Sequence, residues 1–192
     1  AQEHGLLVDF YVILDGLASY EGELVWSLET KDEVLENGSF SIQGQANRSV
    51  LVGTRDFGKH AKHHGHMYLR YHLNGSAEEA GIKTILFCPA KDFSFAPAEL
   101  SWEVEETKTN FEITVSCKNL VKGVMLDLTE GDAIFSDNFF DLKGRRKIQV
   151  RKADCNVQDI DSVRKQLFVK NLNDIMIPFH TFTSEDANYN TV

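Results

Sequence analysis

The chain has few of the residues and motifs that usually identify a function. It contains 3 Pro and 3 Cys in 192 residues, and no phosphate loop, dinucleotide-binding fingerprint or nucleophile elbow. No run approaches the roughly 20 apolar residues of a membrane span, and the segment from Ala1 to Leu14 lacks the basic start and apolar centre of a signal peptide. We therefore expect a soluble chain with an accessory or structural role rather than one with a catalytic motif of its own.

Positive charge is also scarce. The formal net charge is -9, and acidic residues exceed basic ones on both sides of Pro97. Nucleic acids and anionic membrane surfaces require a basic face on their partners, so neither is an expected partner. Sugars and other protein surfaces remain as possible partners.

The cysteines are odd in number and do not predict a disulfide framework. Cys88 and Cys117 lie in apolar alternating segments, where a buried thiol acts as a small hydrophobic group. This pattern favours unpaired thiols in a reducing compartment such as the cytoplasm. Because the chain has no initiator methionine, we expect a fragment or a processed product.

What the sequence does have is period-two alternation, which predicts strands with one buried face. Paired turn residues separate these segments, as in an antiparallel meander or Greek key. The alternating segments include Val8 to Leu14, Leu24 to Leu28, Met67 to Leu73, Ile82 to Cys88, Leu100 to Val104, Phe111 to Cys117, Val124 to Leu128, Ile148 to Val150 and Leu167 to Leu172; the expected turns are Asp15-Gly16, Glu21-Gly22, Asn37-Gly38, Gly53 and Asn74-Gly75. The fold class predicted is all-β, with two consecutive immunoglobulin-like antiparallel β-sandwich domains, because one such sandwich takes about 100 residues.

The boundary between the domains is expected in the segment from Cys88 to Pro97. Two prolines in this short segment cannot both feed a central sheet, so it reads as a linker between domains at 1–97 and 98–192. Residues 154–166 form a polar stretch with weak helical spacing. Both a short helical turn and an irregular surface connection fit that stretch.

Only one cluster could hold a metal. Four imidazoles, His60, His63, His64 and His66, lie within seven residues, and such a group can converge on zinc or nickel. Lysines interleave with them and oppose a further cation, so a solvated loop is the preferred interpretation and no metal or other cofactor is expected.

Aromatic and acidic residues give weak candidates for sugar chemistry. Tyr68 shares a strand face with polar residues and is the expected sugar contact, whereas Trp26 and Trp102 share faces with aliphatic residues and are expected in the cores. Glu103 and Glu105 alternate with Trp102 and Val104, which favours a solvent face opposite a buried one over a pair of glycosidase carboxylates.

Two segments resemble a known family. Gly123 to Leu128 (GVMLDL) followed by Phe135 to Leu142 (FSDNFFDL) resembles the C-terminal immunoglobulin-like domain of glycoside hydrolase family 2 β-mannosidases, and Leu167 to Ile175 is similar to the end of that domain. Phe87 to Phe93 resembles the segment that joins the family's fourth and fifth domains, and Gly22 to Leu28 suits the start of the fourth. The chain departs from the family at Lys143-Gly144-Arg145, where Pro-Gly-Glu is common, and neither the histidine loop nor the tail after Ile175 has a counterpart.

The resemblance implies a scaffold without an active site. In this family an acid/base glutamate and a nucleophile glutamate lie on a (β/α)8 barrel that precedes these domains, and the acid/base residue follows an asparagine. This chain has no Asn-Glu dipeptide, so no catalytic residue is assigned to it. The implied partner is that barrel, in a hydrolase of terminal β-D-mannose residues, and the chain alone is expected to be inactive.

Two other functions stay open at this point. One is a carbohydrate-binding module that holds mannose-containing glycans through surface aromatics such as Tyr68. The other is a metal-dependent adhesion domain that uses the histidine loop.

Overall fold

A computed structural model describes residues 6–74 and 82–175 of the protein. Its contacts divide the chain into a first unit, residues 1–95 with 144–147, and a second unit, residues 96–143 and 148–192. The strands are β1 (Leu7–Leu14), β2 (Tyr20–Glu29), β3 (Val34–Gly44), β4 (Arg48–Asp56), β5 (Tyr68–Leu73), β6 (Lys83–Leu86), β7 (Ser101–Glu106), β8 (Asn110–Leu128), β9 (Ala133–Phe135), β10 (Phe140–Cys155) and β11 (Leu167–Lys170); the helices are α1 (Ile160–Gln166) and α2 (Leu172–Ile175), with 3-10 turns at Gly58–His63 and Ala90–Asp92. The all-β prediction is confirmed.

The first unit packs a two-stranded sheet, β1-β4, against a four-stranded sheet in the order β3-β2-β5-β6. Its pairings are antiparallel. Alternation places Phe10 and Val12 of β1 in the same core as Leu24, Trp26 and Leu28 of β2. The predicted period-two strands therefore bury the predicted faces.

Several predicted turns of the first unit are wrong. Gly22, Gly38 and Gly53 lie inside β2, β3 and β4, and β3 and β4 are strands that the sequence pattern did not reveal. A side chain at Gly38 would place its Cβ 2.8 Å from Trp26 Cζ2, and one at Gly53 would lie 2.1 Å from Phe40 Cε1. Gly38 makes room for Trp26 on the paired strand β2, and Gly53 of β4 makes room for Phe40 on β3 of the other sheet. Close approach of this kind is a known role of glycine in strands.

Asp15-Gly16 does lie between β1 and β2, as expected of a turn. For the expected turn at Asn74-Gly75, the glycine lies outside the described residues.

The second unit is organised around the long strand β8. The sheet order is β11-β8-β10-β9, and β7 also pairs with β8. β7 pairs with residues Phe111 to Ser116 of β8, and β11 pairs with Met125 to Leu128. The two strands predicted at Phe111 to Cys117 and Val124 to Leu128 are therefore one strand, and Gly123, at φ +58°, lies between its two paired parts. Its buried side chains and those of β10 form one continuous apolar core.

The polar stretch at 154–166 contains a helix. Asp159 caps α1 by accepting a hydrogen bond from Ser162 N at 2.8 Å, and Val163 is buried against the core. A side-chain N-cap satisfies one of the unpaired amides at the start of a helix, which explains how a polar segment supports this short one.

The expected linker lies outside the strands. Its 3-10 turn leads to Phe93, which is buried, and the division between the two units falls between Phe95 and Ala96. The assignment of the units to particular domains of a longer protein stays a prediction. None of the helices formed by residues 6–74 and 82–175 is long and apolar enough to cross a bilayer.

The cysteines differ in their surroundings. All three are free thiols; Cys117 and Cys155 are buried, whereas Cys88 follows β6 and is half-buried. Burial, with a smaller effect of Asp92, raises the pKa of the Cys88 thiol.

Candidate functional site

Tyr68 is not exposed, so the sequence prediction of a surface ring is wrong. Its side chain is 2% exposed, and the ring lies edge-on to Phe93 of the linker segment with centroids 6.4 Å apart. A ring covered in this way offers no free face on which a sugar could stack.

The hydroxyl of Tyr68 belongs to a buried polar cluster of the first unit. It donates to Glu29 Oε2 at 3.1 Å, while Glu29 Oε1 accepts from Ser27 Oγ at 2.6 Å and from Arg70 Nη1 at 3.1 Å. Glu29 is only 3% exposed, so its charge depends on these donors. The polar face predicted for β5 exists, but it holds a structural network.

The histidines lie on and after the 3-10 turn Gly58–His63, and their nitrogens point to different partners. His60 Nε2 lies 2.8 Å from Glu36 Oε1, His63 Nδ1 lies 2.9 Å from His66 Nε2, and His64 Nδ1 lies 3.0 Å from the Ala61 carbonyl. Within the described parts of the chain, no group of three or more His, Cys, Asp or Glu is arranged to hold a metal ion.

Charge around this turn shifts two pKa values. Burial opposes ionisation of Glu36, but hydrogen bonds and charge from Lys59 and His60 outweigh it and lower the pKa of that carboxyl. Burial, and then the positive charge of Lys62, lower the pKa of His63. The turn is thus an electrostatic cluster tied to β3 through Glu36.

The two tryptophans differ, although the sequence predicted both in the cores. Trp26 is 3% exposed, as expected, but Trp102 is 41% exposed, so its assignment to the core is wrong. β7 is short and, among the described strands, pairs only with β8, which leaves the ring at the margin of the sheet. An exposed edge position cannot be read from alternation alone, since alternation gives the face of a residue and not its distance from the sheet edge.

Trp102 borders an open depression on the second unit. The depression has a volume of about 460 Å³ and is lined by Trp102, Glu103, Val104, Glu105 and Arg164. We call these residues the β7 surface. Glu103 and Glu105 are exposed, as the sequence predicted. Arg164 of α1 donates from Nη2 to the Val104 carbonyl at 2.9 Å, so the guanidinium lies across the free edge of β7.

The motif from Phe135 to Leu142 has a structural role. Asn138 accepts from Leu126 N at 2.8 Å and donates to the Leu126 carbonyl at 2.9 Å, so its amide pairs with β8 as a strand residue would. It also accepts from Phe139 N at 3.1 Å. The left-handed residue of this segment is Phe139, at φ +57°, and not one of the polar residues before it.

Asp141 fixes the irregular centre of β8. Its carboxylate accepts from Gly123 N at 3.2 Å and also contacts Lys122 Nζ. Asn173 accepts from Lys122 N at 3.1 Å and donates to the Leu120 carbonyl at 3.1 Å. Side chains therefore bond backbone groups of β8 next to the left-handed Gly123.

Part of this chain is similar to a known protein family. Residues 95–175 match the model of a mannosidase-associated family described as an Ig-fold domain, which covers less than half of the chain. No curated protein matches the sequence. A solved structure, the β-D-mannosidase from Dictyoglomus thermophilum, matches 88% of this chain with a TM-score of 0.70 and 16% identity.

The match to the Dictyoglomus enzyme covers 22% of that enzyme's chain, so this protein spans about a fifth of its length. At this level of identity the likeness concerns the fold. It carries no residue roles with it.

Proposed function

We propose that this chain forms the C-terminal accessory domains of a β-mannosidase of glycoside hydrolase family 2, an enzyme that removes terminal non-reducing β-D-mannose. The match of residues 95–175 to a mannosidase-associated Ig-fold family carries the proposal, and the fold shared with a β-D-mannosidase over 88% of the chain supports it. The role proposed is to support a catalytic (β/α)8 barrel in the same protein.

The first unit has a surface suited to such a role. β1 turns Phe10 and Val12 into the core, and its alternate residues face outward. Tyr11 pairs with Leu51 of β4 across the sheet. We define the β1-β4 face by its exposed apolar residues, Leu7 (66% exposed), Tyr11 (57%), Ile13 (67%) and Leu51 (49%).

Exposed apolar groups gathered on one sheet face mark a protein contact more often than a free surface. We propose that the barrel of the parent enzyme covers this face. The large share of the similar enzyme that lies outside the matched region, 78% of its length by difference from the 22% covered, supplies an occupant of that kind.

The acidic residues of the β7 surface do not resemble a hydrolytic pair. Glu103 and Glu105 alternate with Val104 on one strand and project from the same side of it, whereas glycosidase carboxylates face each other across the bond that is cleaved. The proposed chemistry therefore lies on the barrel.

The docking proposal is tested by size-exclusion chromatography of this chain with the catalytic region of its own gene product. We expect the two to co-elute and the Ile13→Glu variant to elute separately, because a buried charge without a partner is costly. The matched control is Val34→Glu, which alters a residue of similar exposure, 52%, on β3. Equal co-elution of both variants, or a gene with no glycosidase barrel, contradicts the proposal.

The proposed division of labour is tested by incubating the isolated chain with p-nitrophenyl β-D-mannoside. We expect no turnover above buffer. Turnover that survives further purification and is lost in Glu103→Gln or Glu105→Gln would place the chemistry in this chain.

A further inference from the structure

We infer that the β7 surface of the second unit is a binding subsite for neutral oligosaccharides. The choice of mannosides as the first probe rests on the proposed function, but the site itself is argued only from its own residues. It combines one exposed aromatic ring with carboxylates and a guanidinium around an open depression.

The position of Trp102 within the strand explains its exposure. It pairs with Val115, and Val104 pairs with Ile113; both partners on β8 are fully buried. Trp102 therefore starts on the core face, but at 41% exposure a large part of its ring meets solvent. The exposed part of the indole offers a flat apolar face, and large aromatic side chains bind partners at low entropic cost.

The polar groups that line the depression suit hydroxyl ligands, and strand alternation places Glu103 and Glu105 on the face of β7 opposite Trp102. Carboxylates accept hydrogen bonds, and the guanidinium donates several in a fixed plane, so Glu103, Glu105 and Arg164 together offer both roles to neighbouring hydroxyls. Arg164 is anchored by Val104 O and by Asp161 Oδ1 at 3.4 Å, which restricts its position before any ligand arrives. The depression of about 460 Å³ falls within the usual range of small-molecule sites.

Charge selects among the possible ligands. The short strand β7 contains three carboxylates, Glu103, Glu105 and Glu106, and Glu112 of β8 lies opposite Glu105. Glu106 is paired with Lys152 Nζ at 2.5 Å, but the other three carboxylates still outnumber Arg164. This acidic surface disfavours uronates and phosphates, so the fitting ligand is an uncharged sugar.

Protection of the sheet edge explains only part of the surface. The Arg164 contact to the Val104 carbonyl and the adjacent glutamates do discourage pairing of β7 with another strand. A charged residue at position 102 would serve that purpose better than a tryptophan. Binding of a ligand explains why the exposed residue at this position is a tryptophan.

The test uses the two indole NH signals of the 192-residue chain during titration with mannotetraose, cellotetraose and trigalacturonate. We expect a saturable shift of the Trp102 signal with a neutral sugar and a constant Trp26 signal, since Trp26 is buried and reports that the first unit stays folded. Binding of cellotetraose but not mannotetraose supports the subsite and counts against the mannoside specificity of the proposed function.

Variants make the assignment specific. We expect Trp102→Ala to weaken binding by roughly tenfold or more, Trp102→Tyr to restore most of it, and Glu103→Gln to weaken it by several fold. Phe139→Ala, which removes another exposed ring of the second unit, 70% exposed, should leave binding unchanged. The inference is overturned by binding of trigalacturonate alone, by no shift at millimolar sugar, or by equal binding of wild type and Trp102→Ala.

Discussion

The two units hold their strands together in different ways. The first has an aromatic core, in which Trp26 lies 5.6 Å from Phe57 and 6.2 Å from Phe10 between ring centroids. The core of the second is mainly aliphatic, and its irregular strand is fixed by the side chains of Asn138, Asp141 and Asn173 on backbone groups. The first unit also has buried hydrogen bonds, but those around Glu29 join side chains to one another, whereas in the second unit side chains bond the backbone of an irregular strand.

This difference accounts for where the family resemblance is found. The family match covers residues 95–175, which lie in the second unit apart from Phe95 and residues 144–147. A packed core accepts many apolar replacements of similar volume, whereas an amide that bonds both groups of Leu126 is replaced only at a cost. Such positions leave a sequence signature that a core does not.

The largest effect is expected from the aromatic core of the first unit. Phe57 is fully buried and contacts Trp26 and Phe87, so Phe57→Ala should lower the free energy of unfolding of that unit by about 3–5 kcal/mol. In a Trp102→Phe background the fluorescence of Trp26 reports urea unfolding of the first unit alone. Phe139→Ala, on the surface, should change stability by less than about 0.5 kcal/mol. A similar loss of unfolding free energy in Phe57→Ala and Phe139→Ala would mean that the buried rings do not stabilise this core.

The next effect concerns the hydrogen bonds of the second unit. Asn138→Ala removes three hydrogen bonds to backbone groups and should destabilise that unit by about 2–4 kcal/mol, since it leaves polar groups of β8 unpaired. Amide hydrogen exchange of Leu126 measures the loss.

Asn119→Ala is the matched control for Asn138→Ala. It removes one exposed hydrogen bond, to the Pro97 carbonyl, and should cost less than about 1 kcal/mol. A small effect of Asn138→Ala would remove the distinction drawn between the units.

A smaller effect tests the strand glycines of the first unit. The Cβ of Gly38→Ala would lie 2.8 Å from Trp26 Cζ2, and overpacking of this kind should cost about 1–3 kcal/mol. Gly16→Ala places its Cβ no closer than 4.0 Å to the nearest atom and should be nearly neutral. Thermal unfolding of the two variants compares them directly, and a neutral Gly38→Ala would show that the ring can move aside.

The smallest effect is on the pH dependence of the first unit. Because the pKa of Glu36 is lowered in the folded state, its contribution is present above the ordinary carboxyl pKa and is lost as the pH falls through the lowered value. Glu36→Gln should therefore narrow the stability difference between pH 7 and pH 3 by less than about 1 kcal/mol. Urea unfolding at both pH values measures it, and an unchanged difference would contradict the ion pairs with Lys59 and His60.

Sequence reasoning succeeded where alternation and local chemistry decide the outcome, and failed where distant packing does. β1, β2 and the core position of Trp26 follow from period two. Tyr68 has the polar strand face that was predicted, but Phe93 covers it from a segment 25 residues further along the chain. No local pattern carries that information.

The motif at 135–142 shows the same limit at closer range. Asn residues tolerate the left-handed conformation, yet the side-chain amide of Asn138 bonds Leu126 and the left-handed residue is Phe139. The prediction that Trp102 lies in the core was wrong for a third reason. β7 lies at the edge of its sheet, and only the strand order defines that edge.

The proposed support of a catalytic barrel by these domains is tested most directly by heating the catalytic region of the same gene product with and without this chain and measuring residual β-mannoside hydrolysis. We expect the added chain to lengthen the half-life of activity several-fold, and the Ile13→Glu variant to lose that protection while Val34→Glu keeps it. The same half-life with and without the chain would contradict the account.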